Sequence, residues 1–201
     1  MKIKYLNIKI STHYFLIEVK TIDINYILAK LIKKGRLLSY KNYVVGASGN
    51  ISGRLSRDHI IIKKTGRRMS NLKPNDLLIV DLWEKTIQGA SSDYFIHREL
   101  YLKYPEINYV VHAHPPNIVR YSLNNSYNNI PIETYEGSVY IGKKLYIYRG
   151  PHEEVVENTI FFRGKNWGYV IEAGHGVYVF GKDIDWIINM IEEIEYIAKV
   201  K

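Results

Sequence analysis

Two histidines one residue apart, in Tyr109-Val-Val-His112-Ala-His114-Pro-Pro, open the chemistry of this chain. In an extended strand successive side chains alternate faces, so His112 and His114 share a side, about 6 to 7 Å apart along the rise, and can converge on one ion. A third imidazole is available at His175, in Glu172-Ala-Gly174-His175-Gly176, where the flanking glycines let the backbone turn sharply. Zinc takes imidazole nitrogens at about 2.0 to 2.1 Å, and a catalytic zinc usually combines about three protein ligands with an open position. The expectation is a three-histidine metal centre, a donor set that discriminates poorly between zinc and cobalt, nickel or manganese. The chain has no cysteine, which excludes thiolate sites, disulfides and cysteine nucleophiles and leaves any metal to His, Asp and Glu.

Three further segments suit an anion. Gly89-Ala-Ser91-Ser92-Asp93 places two hydroxyls and a carboxylate where a helix should begin; the free amides there can hold an anion, or Ser92 or Asp93 can simply cap the helix. Gly46-Ala-Ser48-Gly49-Asn50 has glycines that permit close backbone approach, and Thr65-Gly66 sits among Lys63, Lys64, Arg67 and Arg68. The formal net charge of +8 suits nucleic acid, a membrane surface or phosphorylated metabolites. Beyond the 63–68 cluster there is no recognised nucleic-acid-binding motif. No apolar run approaches the ~18 residues of a spanning helix, and Met1-Lys-Ile-Lys opens no signal peptide, so a cytoplasmic protein without membrane or nucleic-acid partners is expected.

A length of 201 residues, 46% of them hydrophobic and 24% charged, suits one domain, with residues 1–20 as an extension and 21–201 as its body. Weak alternation predicts extended strands in residues 1–20. Helical spacing behind Asp23 predicts a helix that runs down near Gly35 to Ser39. Further helices are expected over 93–104, 117–122 and 183–198, and strands over 49–53, 59–62, 77–82, 107–112, 145–148, 168–172 and 177–180. Strands and helices mixed throughout make the class α/β.

In chain order the segments read Ser-Gly-Asn-Ile-Ser, Lys-Thr-Gly, Leu-Lys-Pro-Asn-Asp-Leu-Leu-Ile-Val-Asp, Ser-Ser-Asp, Val-Val-His-Ala-His-Pro and Gly-His-Gly-Val. That order resembles the class II aldolase/adducin family over roughly residues 23–200, most closely its fuculose-phosphate aldolase-like members. The resemblance implies a three-layer αβα fold with a mainly antiparallel central sheet, and a homotetramer with active sites at subunit interfaces. It implies zinc, one per subunit, on His112, His114 and His175, and a substrate phosphate cradled by Gly49, Asn50, Thr65, Gly66, Ser91 and Ser92. Asp93 matches an acid/base Glu of the aldolases, and Tyr135 falls near an aromatic that they offer to a neighbouring subunit's site. The implied activity is zinc-dependent cleavage or formation of a ketose 1-phosphate, giving dihydroxyacetone phosphate and a short aldehyde.

Alternatives within the family are a pentulose-5-phosphate 4-epimerase and a ketose-phosphate dehydratase; a non-catalytic adducin-like binding module would use the fold without the metal. The chain departs from the aldolase pattern at Asp93, one methylene shorter than Glu, which resembles the epimerases. Those carry a longer insertion before the third metal histidine and a longer tail. Lys64 stands where relatives commonly have Pro, which bears on the phosphate pocket. Other residues read as structural. His97, four residues after Asp93, is a packing residue or a partner to the site; Glu133 and Glu136 are solvated acids; His13, His59 and His152 belong to no constellation; Trp83, Trp167 and Trp186 are core or interface aromatics.

Overall fold

The computed structural model describes residues 23–201 in full and, before them, the backbone of two antiparallel strands, β1 (Lys2–Ile10) and β2 (His13–Thr21). These agree with the extended segments expected in residues 1–20; the side chain of His13 lies outside the described residues. Helix α1 (Ile24–Tyr40) starts where Asp23 accepts a hydrogen bond from the Asn25 amide at 3.0 Å, and it buries Ile27, Leu31 and Leu38.

Nine strands build the main sheet: β3 (Asn50–Arg54), β4 (His59–Lys63), β5 (Leu77–Asp81), β6 (Tyr109–Ala113), β7 (Asn129–Pro131), β8 (Lys144–Tyr148), β9 (Ile160–Phe162), β10 (Trp167–Glu172) and β11 (Gly176–Gly181). Their order is β5-β4-β3-β6-β11-β10-β8-β7, with β9 pairing on β10. Every pair is antiparallel except β10 with β8. The remaining helices are α2 (Tyr94–Lys103), α3 (Pro116–Asn124), α4 (Tyr135–Tyr140) and α5 (Ile184–Lys199).

Alternation along the strands sorts the core into two layers. Ile51, Ile61, Val111, Val177 and Val179 pack with α1, α3 and α5 on one face. Ile60, Ile62, Val110, Val170 and Phe180 pack with Tyr94, Ile96, Leu100 and Tyr101 of α2 on the other. The result is the three-layer αβα arrangement with a mainly antiparallel sheet that the sequence led us to expect. Sequence reasoning missed β7, α4 and β9, which span three, six and three residues and are too short to show a period. Among the described residues no helix is long and apolar enough to cross a membrane.

The register of the central strands positions the site. His112 of β6 stands opposite Asn50 of β3 on one side and Tyr178 of β11 on the other. Residues directly opposed in a sheet share a face, so these three side chains form a row at the middle of the sheet, facing α2. The exit from β6 is pinned by α5: Glu195, 5% exposed, accepts from the backbone amides of Asn117 (2.9 and 3.0 Å) and Ile118 (3.0 Å) at the start of α3. Removing that carboxylate leaves the buried Ile118 amide and the part-buried Asn117 amide unpaired. Glu195→Ala should therefore lower unfolding free energy by about 1 to 3 kcal/mol in urea titrations, whereas a change within about 0.5 kcal/mol, the usual size for an uninvolved surface residue, would show that the cap is dispensable.

Candidate active site

His112 lies on β6 and His114 just beyond its end, where the His114 amide donates to the Tyr43 carbonyl at 2.7 Å. Their Nε2 atoms are 2.8 Å apart, and His175 brings its Nε2 to 3.3 Å from that of His112. Gly176 makes this approach possible: a Cβ there would sit 2.4 Å from the Ala113 carbonyl oxygen and 2.7 Å from the His114 ring. The far side of two rings is fixed by acceptors. His112 Nδ1 donates to the Val177 carbonyl at 3.0 Å, and His175 Nδ1 donates to Glu172 Oε2 at 2.6 Å.

With Nδ1 protonated in both rings, the Nε2 atoms of His112 and His175 face one another lone pair to lone pair. A tetrahedral ion with imidazole bonds of about 2.0 to 2.1 Å would hold such atoms about 3.3 Å apart. The three rings fit a divalent metal in charge, and the His112–His175 pair fits it in tautomer and spacing; His112 and His114, 2.8 Å apart, would have to open to the same separation. Burial pushes the His112 ring well below the usual histidine range and lowers His114 as well, so both rings offer lone pairs. His175 moves the other way, raised by its bond to Glu172, which makes its ring more basic.

Asp93 stands at the N-terminal boundary of α2 but makes no capping bond with its side chain. Its carboxylate instead accepts from Asn50 Nδ2 (2.7 Å), Tyr178 Oη (2.9 Å) and Ser92 Oγ (3.1 Å), with Oδ2 at 3.6 Å from His112 Nε2. Burial pushes this carboxyl up, but the His112 ring and the Asn50 and Tyr178 hydrogen bonds outweigh it and hold the group down at about 2. The Tyr178 hydroxyl is pushed far up by burial and by the Asp93 charge, so it stays a donor. Its ring stacks on His112 with centroids 3.9 Å apart.

The candidate anion loops meet at the same place. Gly49, Asn50, Thr65, Gly66, Ser91 and Ser92 line one cavity of about 160 Å³ with Lys63, Asp93 and the three histidines. Gly49 has φ +68°, and a Cβ would lie 2.4 Å from Val44 and 2.9 Å from the His112 carbonyl oxygen, so the loop presses onto β6. Lys63 stands apart from the rest of the basic cluster: it is 2% exposed, and its ammonium donates to the Ala47 (3.1 Å) and Arg67 (2.8 Å) carbonyls and ties two loops together. The Asn50 side chain is committed to Asp93 rather than to the open cavity. Tyr135, at the start of α4, is 78% exposed and does not line the cavity of its own chain.

Among the residues read as structural, Trp167 is buried in the core and Trp83 is 64% exposed. Glu133 and Glu136 are exposed. His152 departs from its reading as unconnected, since it binds Glu172. Glu172, Lys63 and Tyr178 were not singled out as site residues; for Tyr178 the signal was strand alternation, which puts it on the face opposite Val177 and Val179.

His97 of α2 is fully buried behind this array. Its Nε2 donates to Asn50 Oδ1, which turns the Asn50 amide nitrogen toward Asp93, and its Nδ1 accepts from Ser52 Oγ at 2.7 Å. Burial pushes its pKa down to about 4 from an ordinary 6.5. The unfolded chain thus takes up a proton near pH 6.5 that the folded chain refuses until about 4, so this group's stabilisation is complete above the upper value and is lost as pH falls between the two. In the presence of chelator, wild type should lose about 3 kcal/mol more than His97→Gln between pH 6.5 and 4; parallel stability curves would contradict a neutral buried His97.

Comparison with known proteins agrees with the fold and the order of the motifs. Residues 29–201 match the family model described as class II aldolase and adducin N-terminal domain. A methylthioribulose-1-phosphate dehydratase of Methylococcus capsulatus is 28% identical over 184 residues, covering 84% of this chain and 89% of the relative. An L-fuculose phosphate aldolase of Methanocaldococcus jannaschii is 29% identical over 174 residues, covering 85% and 93%. The crystal structure of L-fuculose-1-phosphate aldolase from Thermus thermophilus superposes with a TM-score of 0.74 at 23% identity, over 87% of this chain and 92% of that one, and speaks for the fold. The match over residues 29–201 establishes that this chain belongs to the class II aldolase and adducin family.

Proposed function

We propose that this chain is a metal-dependent lyase of ketose 1-phosphates that moves a proton at the carbon next to the substrate carbonyl. The observation that carries the reading is one cavity holding three converging imidazoles, an ionised carboxylate beside them and an amide- and hydroxyl-rich anion cradle. His112, His114 and His175 would hold the metal, which as a Lewis acid would stabilise negative charge developing at the carbonyl and its neighbouring hydroxyl. Zinc is the expected ion.

The protein's own groups divide the rest of the work. Ser91, Ser92, Thr65, Gly66 and Gly49 bind the phosphate, and Lys63 with its basic neighbours adds positive potential there. Binding energy gained at the phosphate fixes the reacting carbons against Asp93. Asp93, kept ionised, takes a proton from the substrate and returns it to the enediolate carbon. Tyr178 and Asn50, both donating to Oδ2, leave Oδ1 in contact only with the Ser92 hydroxyl and hold the carboxylate's orientation.

On this reading the reaction is aldol cleavage or formation, with dihydroxyacetone phosphate and a short aldehyde as the fragments. The dehydratase relative favours a second reading on the same machinery. In it Asp93 takes the proton from the carbon next to the carbonyl, and the resulting enediolate expels the hydroxyl of the following carbon, which leaves as water with a proton returned by that acid. Tyr135 is exposed, as a side chain offered to a neighbouring copy would be, and we include it, with a homotetramer, in the proposal.

Metal analysis should find about one zinc per chain. Incubation with dihydroxyacetone phosphate plus short aldehydes, and separately with methylthioribulose 1-phosphate, should give chelator-sensitive product in one of the two assays. Asp93→Asn should cut kcat by about 10² to 10⁴ with zinc content unchanged. A zinc-loaded protein inert in both assays, or full turnover in Asp93→Asn, would overturn the reading.

A further inference from the structure

Behind the three-histidine centre a fourth histidine grips the carboxylate that holds His175. Glu172 closes β10, is 9% exposed, and receives His175 Nδ1 on Oε2 at 2.6 Å. The same carboxylate receives His152 Nδ1 at 2.9 Å on Oε1 and 3.0 Å on Oε2. His152 opens a short 3-10 turn after β8, the strand that pairs in parallel with β10 through Tyr148 and Glu172. Its ring meets Phe95, in the first turn of α2, edge to face with centroids 5.5 Å apart.

Glu172, His152 and His175 could be taken for a second metal group. Their geometry argues otherwise: two N–H donors aim at one carboxylate at hydrogen-bond distance, so the carboxylate is satisfied without an ion. What the arrangement does provide is a clamp. A carboxylate bonded to one imidazole alone is free to turn about its last torsion, and its outer oxygen is drawn toward water. Bound across both oxygens by His152, it has one orientation.

We propose that His152 is a positioning residue of the metal centre: by holding both oxygens of Glu172 it fixes the acceptor that orients His175, and so presents His175 Nε2 to the ion. The proposal rests on the assignment of His112, His114 and His175 as metal ligands. Partners that hydrogen-bond a ligating imidazole, when removed, typically weaken metal binding by about 10- to 100-fold. Glu172 touches the ligand itself, whereas His152 acts through it and has a side chain 33% exposed to competing water. His152 therefore belongs at the lower end of that range.

The experiment is competition for Zn²⁺ between the full-length protein and a chromogenic chelator, for wild type, His152→Phe, His152→Asn, Glu172→Ala and the double variant His152→Phe/Glu172→Ala. Phe keeps the ring against Phe95 but cannot donate; Asn can donate to Glu172. His152→Phe should weaken Zn²⁺ binding by about 10-fold, His152→Asn should restore most of that loss, and Glu172→Ala should weaken binding by up to about 100-fold. In the Glu172→Ala background, His152→Phe should add nothing, since its route to His175 is gone. Thermal unfolding with chelator present separates loss of metal from loss of fold. His152→Phe binding Zn²⁺ like wild type would overturn the proposal, as would a His152→Phe effect that persists without Glu172. Wild type failing to bind stoichiometric Zn²⁺ is a different result, one that overturns the three-histidine assignment and the proposal with it.

Discussion

Two imidazole nitrogens with their lone pairs aimed at each other across 3.3 Å repel, and His112 and His175 are held that way by hydrogen bonds on their far sides. A positive charge between them would relieve that repulsion, and the groups around the two rings hold them in this arrangement. The Val177 carbonyl, the Glu172 carboxylate and the glycine at 176 each remove a way for the rings to turn or move apart. Asp93 completes the arrangement from the other side, close enough to act beside an ion yet held by Asn50 and Tyr178 rather than by the histidines alone. Preorganisation of this kind costs stability and would be recovered by a bound cation.

The sheet explains how such a cluster can be built without a buried excess of unpaired charge. Opposed residues Asn50, His112 and Tyr178 come from three strands far apart in sequence, and the ladder sets their spacing without any loop having to be rigid. Loops supply only what loops supply well, backbone amides and hydroxyls lining the cavity. They are nonetheless tied: Lys63 bridges two of them, and the Thr65 amide donates to the Gly89 carbonyl at 3.0 Å, joining a third.

Much of this was legible from residue order. His112, His114 and His175 were readable because alternation and glycine-flanked turns are local signals, and the fold class followed from strands and helices of ordinary length. Partners that arise from register or from turns were not readable. Tyr178 meets His112 only because β11 lies beside β6, and His152 meets Glu172 only because β8 runs parallel to β10. Lys63 shows the same limit in another form: inside a run of cations it looks solvated, yet it ends a strand whose last four residues are buried. His97 sat between a packing role and a site role on sequence grounds, and the structure gives it both, buried and bonded to Asn50.

The central claim is that one ion belongs at the meeting point of three Nε2 atoms. The direct measurement is anomalous diffraction at the zinc edge from crystals of the zinc-loaded protein. The account predicts a single strong peak per chain about 2.0 to 2.1 Å from the Nε2 atoms of His112, His114 and His175. A peak between His152 and Glu172 instead, or none at the three histidines, would contradict it.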